Sequence, residues 1–162
     1  MKNFLLKSMG CKSNQFEGQI VEQQLIEAGY KKVEKIESAD FYILNSCTVT
    51  QKSDNEALYL LRHAHSLGLK TILTGCFAQV EKESLIKKPF IDMVLGNEDK
   101  FNIVEYIKNN TNFAVQDLMV KQEFYKIALK NSNKTRISLK IQDGCDNRCA
   151  YCIIPFARGK SR

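Results

Sequence analysis

Three cysteines near the end of the 162-residue sequence have a spacing that suits an iron–sulfur cluster. Cys145, Cys149 and Cys152, hereafter the second triad, form a C-x3-C-x2-C motif in a loop that begins at Gly144. A [4Fe–4S] cluster normally has four cysteine ligands, so three thiolates leave one iron open for another ligand. A zinc site would more often show two separated C-x2-C pairs or histidines at ligand spacing. A disulfide with one spare thiol is the other alternative, and we predict the cluster.

The remaining cysteines each follow a predicted β-strand. They are Cys11, Cys47 and Cys76, hereafter the first triad. The carboxyl ends of parallel strands share one edge of an open α/β sheet, and ligands bind there. We therefore expect these three thiols to converge in space. Buried structural cysteines are the alternative, because cysteine is common in cores, but such residues would fall at scattered positions within strands.

Apolar periodicity predicts the elements that position these cysteines. The predicted strands are 3–9, 31–36, 39–45, 70–74 and 91–95, and the predicted helices are 13–28, 53–67, 79–87 and 100–108. Ser13 or Asn14 is expected to cap the first helix, and Ser53 with Glu56 to form a capping box on the second. The alternation is typical of an α/β fold with an open, mostly parallel, doubly wound sheet of the Rossmann or flavodoxin type.

The pattern also predicts a division into domains. Residues 1–110 are predicted to form the α/β domain, and 111–134 to connect it to a second domain that begins at 135. The connection is polar, apart from a hairpin-like apolar stretch at 113–120. Residues 136–142 alternate between apolar and polar side chains, which predicts a strand that leads into the C-x3-C-x2-C loop.

Composition favours a packed protein of the cytoplasm. Apolar residues make up 44% of the chain, no apolar run reaches membrane-spanning length, and the first residues do not have the pattern of a signal peptide. In a reducing compartment, six cysteines are more often metal ligands or catalytic thiols than disulfides.

Positive charge is concentrated around the second triad. Residues 1–120 contain 14 Lys and Arg against 15 Asp and Glu, whereas residues 121–162 contain 10 against 3. A basic segment suits RNA, although a solvated basic face has the same composition. We predict RNA phosphate contacts from Arg148, Arg158, Lys160 and Arg162. His63 and His65 are two residues apart on a predicted helix, so we expect them at the surface and not as ligands.

These motifs resemble those of a known enzyme family. C-x3-C-x2-C is the motif of the radical S-adenosylmethionine enzymes, and the flanking runs LKIQDGC at 139–145 and IIPFARG at 153–159 resemble the methylthiotransferases. GCKSNQFE at 10–17, NSCTVT at 45–50 and GCFAQ at 75–79 resemble the three cysteine motifs of the amino-terminal domain in that family. The resemblance runs from residue 4 to residue 162 and includes all six cysteines.

The resemblance implies two [4Fe–4S] clusters and S-adenosylmethionine as cofactors. The second triad would hold the cluster that cleaves S-adenosylmethionine to a 5′-deoxyadenosyl radical, which abstracts hydrogen from the substrate. The first triad would hold an auxiliary cluster that supplies the methylated sulfur. No catalytic residue is implied beyond these cluster ligands.

Three other side chains are weaker candidates in these sites. Asn14 and Gln79 lie beside cysteines in the sequence and could donate hydrogen bonds to cluster sulfurs, which tunes a cluster's potential; helix capping explains Asn14 equally well. Tyr151 lies between two ligands and could pack against the adenosine of S-adenosylmethionine, or it could fill the loop.

Lys12, Gln15 and Gln142 favour one branch of the family. The branch methylthiolates C2 of N6-threonylcarbamoyladenosine, next to the anticodon of tRNA, and the 2-methylthio derivative is the product. The alternatives are isopentenyladenosine in tRNA, an aspartate of a ribosomal protein, or a non-enzymatic iron–sulfur or zinc-binding RNA-interaction module. The implied partners are tRNA and an electron donor such as flavodoxin or ferredoxin, with no membrane; monomer and dimer both stay open. Family members continue through a (β/α) barrel after the radical motif. We therefore expect this chain to include the first barrel strand only and to be inactive by itself.

Overall fold

Six parallel strands run through the part of the chain that the computed structural model describes, residues 2–120, 129 and 138–162. They are β1 (Asn3–Ser8), β2 (Lys31–Lys32), β3 (Phe41–Ser46), β4 (Lys70–Gly75), β5 (Met93–Leu95) and β6 (Phe113–Ala114). Their order in the sheet is β2-β1-β3-β4-β5-β6, and each neighbouring pair is parallel. This order confirms the predicted doubly wound α/β fold and places its switch point between β1 and β3.

Helices connect these strands. They are α1 (Lys12–Glu27), α2 (Gln51–Ser66), α3 (Cys76–Val80), α4 (Lys82–Leu85), α5 (Ile103–Lys108) and α6 (Ile154–Arg158), with 3-10 turns at Ile36–Ser38 and Asp99–Asn102. The helix predicted at 79–87 is in fact two short helices, and the one predicted at 100–108 begins as a 3-10 turn. In the described residues, no helix has the length and apolar character that crossing a membrane requires.

The core lies on both faces of the sheet. All six residues of β3 are buried, as expected for a central strand of a parallel sheet. Because side chains alternate along a strand, Tyr42 and Leu44 pack in one hydrophobic cluster together with residues of α2. Phe41 and Ile43 pack in another, together with residues of α1 and α5. Burial on both sides fixes the strand and therefore the position of the loop that follows it.

A glycine inside α1 lets this helix lie against the end of the sheet. Gly18 is buried, and a Cβ atom at this position would collide with the Oγ atom of Ser8. Glycine in a helix interior costs roughly 0.5–1 kcal/mol relative to alanine, so this position favours close packing over helix propensity. Asn14 and Glu17, on the turn before Gly18, are consequently buried.

Both predicted helix caps are wrong. Cys11 is the N-cap residue of α1, and its side chain makes no capping bond. Asn14 lies inside the helix, and its Oδ1 atom accepts from Arg158 Nη2 at 2.6 Å. On α2 the capping box is formed by Thr50 and Ser53 and not by Ser53 and Glu56. The helix starts two residues earlier than predicted, since Thr50 Oγ1 accepts a hydrogen bond from the Ser53 N–H at 3.2 Å.

Three predicted strand regions also differ. The edge strand predicted at 31–36 is reduced to Lys31–Lys32. The stretch at 113–120 is not a hairpin, because Phe113–Ala114 pairs in parallel with β5. Residues 136–137 of the strand predicted at 136–142 lie outside the described residues, and 138–142 form no strand. The loop instead closes on itself, since Asp143 and Arg162 exchange two backbone hydrogen bonds of 3.0 and 2.9 Å.

Candidate metal centre at the carboxyl edge of the sheet

The first triad lies at the carboxyl ends of three neighbouring strands. Cys11 follows β1 after a two-residue turn, Cys47 follows β3 directly, and Cys76 follows β4 directly as the first residue of α3. The register pairs the last residue of β1 with β3, and the last residue of β3 with the last residue of β4. This edge includes the switch point between β1 and β3, where doubly wound folds bind ligands.

Two of the first-triad loops are in close contact. Gly10 has a φ of +84°, and a Cβ atom there would lie 2.8 Å from the Sγ atom of Cys47. Only glycine fits so tight and left-handed a position. The turn before Cys11 therefore lies directly against Cys47, although 36 residues separate the two cysteines in the sequence.

The geometry of a single-ion site is not present. No three Cys, His, Asp or Glu side chains of the described part of the chain are arranged to hold one metal ion. A [4Fe–4S] cluster makes a different demand, because each of its thiolate ligands binds a different iron. The role of the first triad as cluster ligands therefore stays a prediction.

Two side-chain amides, those of Asn14 and Asn97, contact the sulfur of Cys76. Its Sγ atom lies 3.8 Å from the Oδ1 atom of Asn14, to which the thiol donates. On another side, the Nδ2 group of Asn97 donates to the same sulfur at 3.7 Å. An amide N–H near a ligating sulfur stabilises its negative charge, so the Asn97 contact fits a thiolate ligand, whereas the hydrogen bond to Asn14 Oδ1 requires the protonated thiol.

Asn97 is a site residue that the sequence analysis missed. It lies in the loop after β5, its backbone N–H donates to Gln79 Oε1 at 2.9 Å, and its Nδ2 group donates to the Ala157 carbonyl at 2.5 Å. The rule that located the cysteines could have found it, since Asn97 follows the end of a neighbouring parallel strand. Unlike Asn14 and Gln79, Asn97 has no cysteine near it in the sequence, so the cysteine motifs gave no sign of it.

The two predicted sulfur donors have other partners. Asn14 Nδ2 donates to the carbonyls of Met9 at 3.1 Å and Ser46 at 2.7 Å, so this side chain ties the loops after β1 and β3 together. Gln79 Nε2 donates to the Gln116 carbonyl at 2.9 Å. Gln79 therefore supports the loop that carries Asn97, and the structure gives it no hydrogen bond to a cysteine.

The second triad lies in a loop that its own ends close. Gly144 has a φ of +72°, and a side chain there would collide with the backbone of Lys160. The Cys145 N–H donates to the Gly159 carbonyl at 3.1 Å, and the Cys152 N–H donates to the Cys149 carbonyl at 3.0 Å. Cys149 is exposed and the other two thiols are half-buried. Beside Cys145 lies a cavity of about 270 Å³, lined by Met119, Asp146, Arg148, Pro155, Gly159 and Lys160.

The predicted RNA-contacting residues divide into two kinds. Arg148 and Lys160 are exposed, and Arg148 lies over the ring of Phe156. Arg158 is only 4% exposed, and its guanidinium bonds to Glu17, Asp143 and Asn14. The prediction that Arg158 contacts RNA is therefore contradicted, because its hydrogen-bonding groups are already used inside the protein.

The sequence analysis also named Arg162, Tyr151 and the two histidines of α2. Arg162 is half-buried and pairs with Glu98 and Asp143, so its role as an RNA contact stays a prediction. Tyr151 is 92% exposed, and nothing in the described residues packs it as loop filling. His63 and His65 are both exposed on α2, as expected for surface residues.

A group of buried charged side chains joins the second-triad segment to the sheet edge. This buried ion cluster contains Glu17, Glu98, Lys100, Lys140, Asp143, Arg158 and Arg162. Glu17 is its centre, with Nζ of Lys100 and Nζ of Lys140 each at 2.5 Å and Nη1 of Arg158 at 2.7 Å. Buried charges are tolerated when they are paired and hydrogen-bonded in this way.

The ion cluster shifts the titration of its members. Burial by itself opposes ionisation of Glu17, but the positive charges of Lys100, Arg158 and Lys140 outweigh it and hold the pKa of this carboxyl well below its usual range. Burial likewise opposes the charged form of Arg158, and the carboxylates of Glu17 and Asp143 raise its pKa nonetheless. The pKa of Asp143 is lowered as well, because the cations of Arg158 and Lys140 outweigh its burial. Glu17 and Asp143 are therefore ionised at neutral pH.

Comparison with known proteins identifies relatives. Residues 3–96 match the model of the family described as uncharacterized protein family UPF0004. The threonylcarbamoyladenosine tRNA methylthiotransferase MtaB of Bacillus subtilis is 32% identical over the whole chain and 38% of its own length. The protein of the same name from Thermotoga maritima is 37% identical over 98% of the chain and 37% of its length. A tRNA-2-methylthio-N(6)-dimethylallyladenosine synthase of Pelagibacter ubique is 28% identical over 98% of the chain.

These matches confirm the family that the cysteine motifs indicated. The chain spans less than two fifths of the length of these relatives, and the family model covers more than half of the chain. The chain therefore belongs to the UPF0004 family and is related along its whole length to tRNA methylthiotransferases.

Proposed function

We propose that the chain carries the two iron–sulfur sites of a tRNA methylthiotransferase. The first triad would hold an auxiliary [4Fe–4S] cluster, and the second triad would hold the cluster that binds S-adenosylmethionine. The observation that carries this proposal is the placement of three thiols at the ends of adjacent parallel strands, with the second-triad segment packed against the same edge. When bound, these cofactors supply the radical and the sulfur that an unactivated C–H bond requires.

The residues around the first triad fit a negatively charged thiolate cluster. Soft thiolate ligands select iron–sulfur clusters, and Asn97 donates to one of the thiols. Lys100 and Arg158 are near enough to Cys76 for a negative charge there to favour their protonated forms. These two cations, which are buried, would offset part of the cluster's charge.

The second triad would bind its cofactor near the surface. The cavity beside Cys145 has both acidic and basic side chains, Asp146 with Arg148 and Lys160. Such a lining suits a zwitterionic group, and the methionine end of S-adenosylmethionine is one. The exposed ring of Tyr151 is available to pack against the adenosine.

The proposed substrate is N6-threonylcarbamoyladenosine next to the anticodon of a tRNA, with methylthiolation at C2. The MtaB relatives described above are 32% and 37% identical, against 28% for the dimethylallyladenosine synthase, which supports this branch over isopentenyladenosine. Arg148, Lys160 and Arg162 would contact RNA phosphates. The reaction would take place in the cytoplasm with an electron donor such as flavodoxin or ferredoxin.

Metal content tests the proposal directly. We would measure iron and acid-labile sulfide after anaerobic reconstitution of the chain and of two triple variants, in which either triad is changed to alanine. The proposal predicts about eight irons in the parent and about four in each variant. About four irons in both the parent and the first-triad variant would mean that the strand-end cysteines are core residues. No iron in any form would overturn both sites.

A chimera tests the substrate. The chain would replace the matched region of the Bacillus subtilis relative in a strain that lacks that gene. Nucleosides of digested tRNA would then be separated by liquid chromatography and identified by mass spectrometry. Restored 2-methylthio-N6-threonylcarbamoyladenosine, lost again in Cys47→Ala, supports the proposal. Restoration that survives Cys47→Ala would overturn the role of the first triad.

A further inference from the structure

The buried ion cluster is formed by side chains from opposite sides of one contact. Glu17, Glu98 and Lys100 come from α1 and the loop after β5, whereas Lys140, Asp143, Arg158 and Arg162 come from the segment that carries the second triad. Within the ion cluster, the sheet side thus has one more carboxylate than cations, and the segment has two more cations than carboxylates. The two sides therefore have opposite net charges. Ion pairs between them compensate the loss of hydration when the contact excludes water.

Glu17 is the residue through which this contact is made. Its Oε1 atom accepts from Lys140 Nζ at 2.5 Å and Arg158 Nη1 at 2.7 Å. Its Oε2 atom accepts from Lys100 Nζ at 2.5 Å and Arg158 Nη2 at 3.2 Å. Oε1 is therefore bound by the segment, Oε2 is shared between the segment and the sheet side, and Glu17 is 1% exposed.

Apolar packing contributes little to the same contact. None of the three hydrophobic clusters formed by the described residues includes a residue of 138–162. Four large apolar side chains of that segment are exposed, namely Leu139, Ile141, Tyr151 and Phe156, and Ile153 and Ile154 are half-buried. Ion pairs and hydrogen bonds therefore provide the main attraction between this segment and the sheet side.

The ion cluster also reaches the first triad. Arg158 Nη2 donates to Asn14 Oδ1 at 2.6 Å, and that same oxygen accepts from the thiol of Cys76. Asn97 Nδ2 lies within hydrogen-bonding distance of both the Ala157 carbonyl and Cys76 Sγ. A displacement of the second-triad segment would therefore change the hydrogen bonds of Cys76.

We infer that Glu17 is a positioning residue that holds the second-triad segment against the strand ends of the first triad and so fixes the placement of the two triads relative to each other. Transfer between two sites depends on such fixed geometry. The inference uses the proposed function only where it treats the triads as cluster sites, since the docking itself needs no cofactor.

Hydrogen exchange of the metal-free chain tests the docking. In Glu17→Gln the exchange of peptides from 138–162 should rise by at least about tenfold, because Arg158 and Lys140 lose their shared carboxylate. Exchange of Phe41–Ser46 should stay unchanged. Glu22→Gln is the matched control, since Glu22 lies on the same helix and pairs with Lys32 on the surface. Protection of 138–162 within about twofold of the parent would overturn the inference.

A second variant covers the case in which Glu17→Gln unfolds the whole chain. Arg158→Gln leaves the Glu17–Lys100 pair on the sheet side in place, so β3 should keep its protection while 138–162 loses it. Loss of protection in neither region would again overturn the inference.

The reconstituted chain separates this inference from the proposed function. In Glu17→Gln the iron content should equal that of the parent, whereas the power saturation of the reduced-cluster EPR signals, which depends on the distance between the two clusters, should change. Unchanged saturation would overturn the positioning role. Absence of iron in the parent would overturn the proposed function and leave the exchange result to decide the docking.

Discussion

The first triad is spread over three loops, each anchored to the end of a strand that has neighbours on both sides, whereas the second triad lies in one short loop whose ends bond to each other. The first depends on the hydrophobic clusters on both faces of the sheet. The second is held in place by the buried ion cluster and by the backbone bonds between Asp143 and Arg162.

The two triads are therefore held in place by different forces, apolar burial for the first triad and paired charges for the second. Apolar burial is non-directional and hard to remove with one charge change, so the first triad should respond to cavities in the core. Ion pairs depend on each partner, because a buried charge without its partner costs several kcal/mol. The second triad should therefore respond to pH and to single charge changes while the sheet stays folded.

A cavity in the core should have the largest effect and should damage the first region. Leu73 is fully buried in β4, two residues before Gly75. We expect Leu73→Ala to lower the free energy of unfolding by about 3–5 kcal/mol, measured by urea denaturation followed by circular dichroism. Leu67→Ala, at a half-exposed position, is the control and should cost less than about 1 kcal/mol. Equal losses in the two variants would contradict the central position of β4.

A charge change in the segment should undock the second region alone. Asp143 pairs with Lys140, Arg158 and Arg162, and Asp143→Asn should weaken docking by about 3 kcal/mol. Hydrogen exchange should speed up in 138–162 and stay constant in β3. The control is Asp146→Asn, because Asp146 is exposed and an asparagine oxygen can still accept from the Ser161 N–H. If β3 exchanged faster as well, the two regions would not be separable.

Acid should undock the segment before it unfolds the sheet. The pKa values of Glu17 and Asp143 lie below their ordinary values of 4.5 and 3.8 in the docked state, where Lys100, Lys140 and Arg158 face Glu17. These two groups therefore bind fewer protons in the docked state, so their contribution to docking is complete above about pH 4.5 and is lost as the pH falls toward the lowered pKa values. Burial raises the pKa of Glu98, which pairs with Arg162, so this group acts in the opposite direction. The chain has no tryptophan, so Phe156→Trp provides a local fluorescence signal. A fluorescence change that coincides with loss of circular dichroism would contradict separate docking.

Loss of a helix cap should have the smallest effect and should act on the first region alone. Thr50→Ala removes the side chain that accepts from the Ser53 N–H at the start of α2. We expect the free energy of unfolding to fall by about 1 kcal/mol, measured by urea denaturation. Lys52→Ala, at an exposed position in the same first turn, should change it by less than about 0.5 kcal/mol. Faster exchange in 138–162 of the Thr50 variant would contradict the independence of the two regions.

The sheet and the first triad could be predicted because they follow from local patterns. Strand ends are visible as the ends of apolar runs, and the cysteines after them share an edge in any parallel sheet. Helix caps were predicted less well, because Ser13, Asn14 and Ser53 were assigned from spacing alone. The backbone geometry before each helix decided which residue makes the capping bond.

The role of Arg158 could not be predicted from its neighbours in the sequence. In a basic segment, an arginine is most simply interpreted as a solvated or RNA-binding side chain. Its partner Glu17 is 141 residues away, on a helix where a glutamate would ordinarily face solvent. Asn97 was missed for a related reason, since an asparagine in a loop shows no sign of contacting a distant cysteine.

By itself, the sequence determined the parallel α/β sheet, the edge of that sheet at which three cysteines lie and the family to which the chain belongs. Those features depend on apolar periodicity and motif spacing, which are local properties of the chain. Only the tertiary structure decided that the second-triad segment packs at that same edge and that Arg158 is buried. Both features depend on ion pairs between residues from opposite ends of the chain. No local sequence pattern specifies which carboxylate an arginine pairs with.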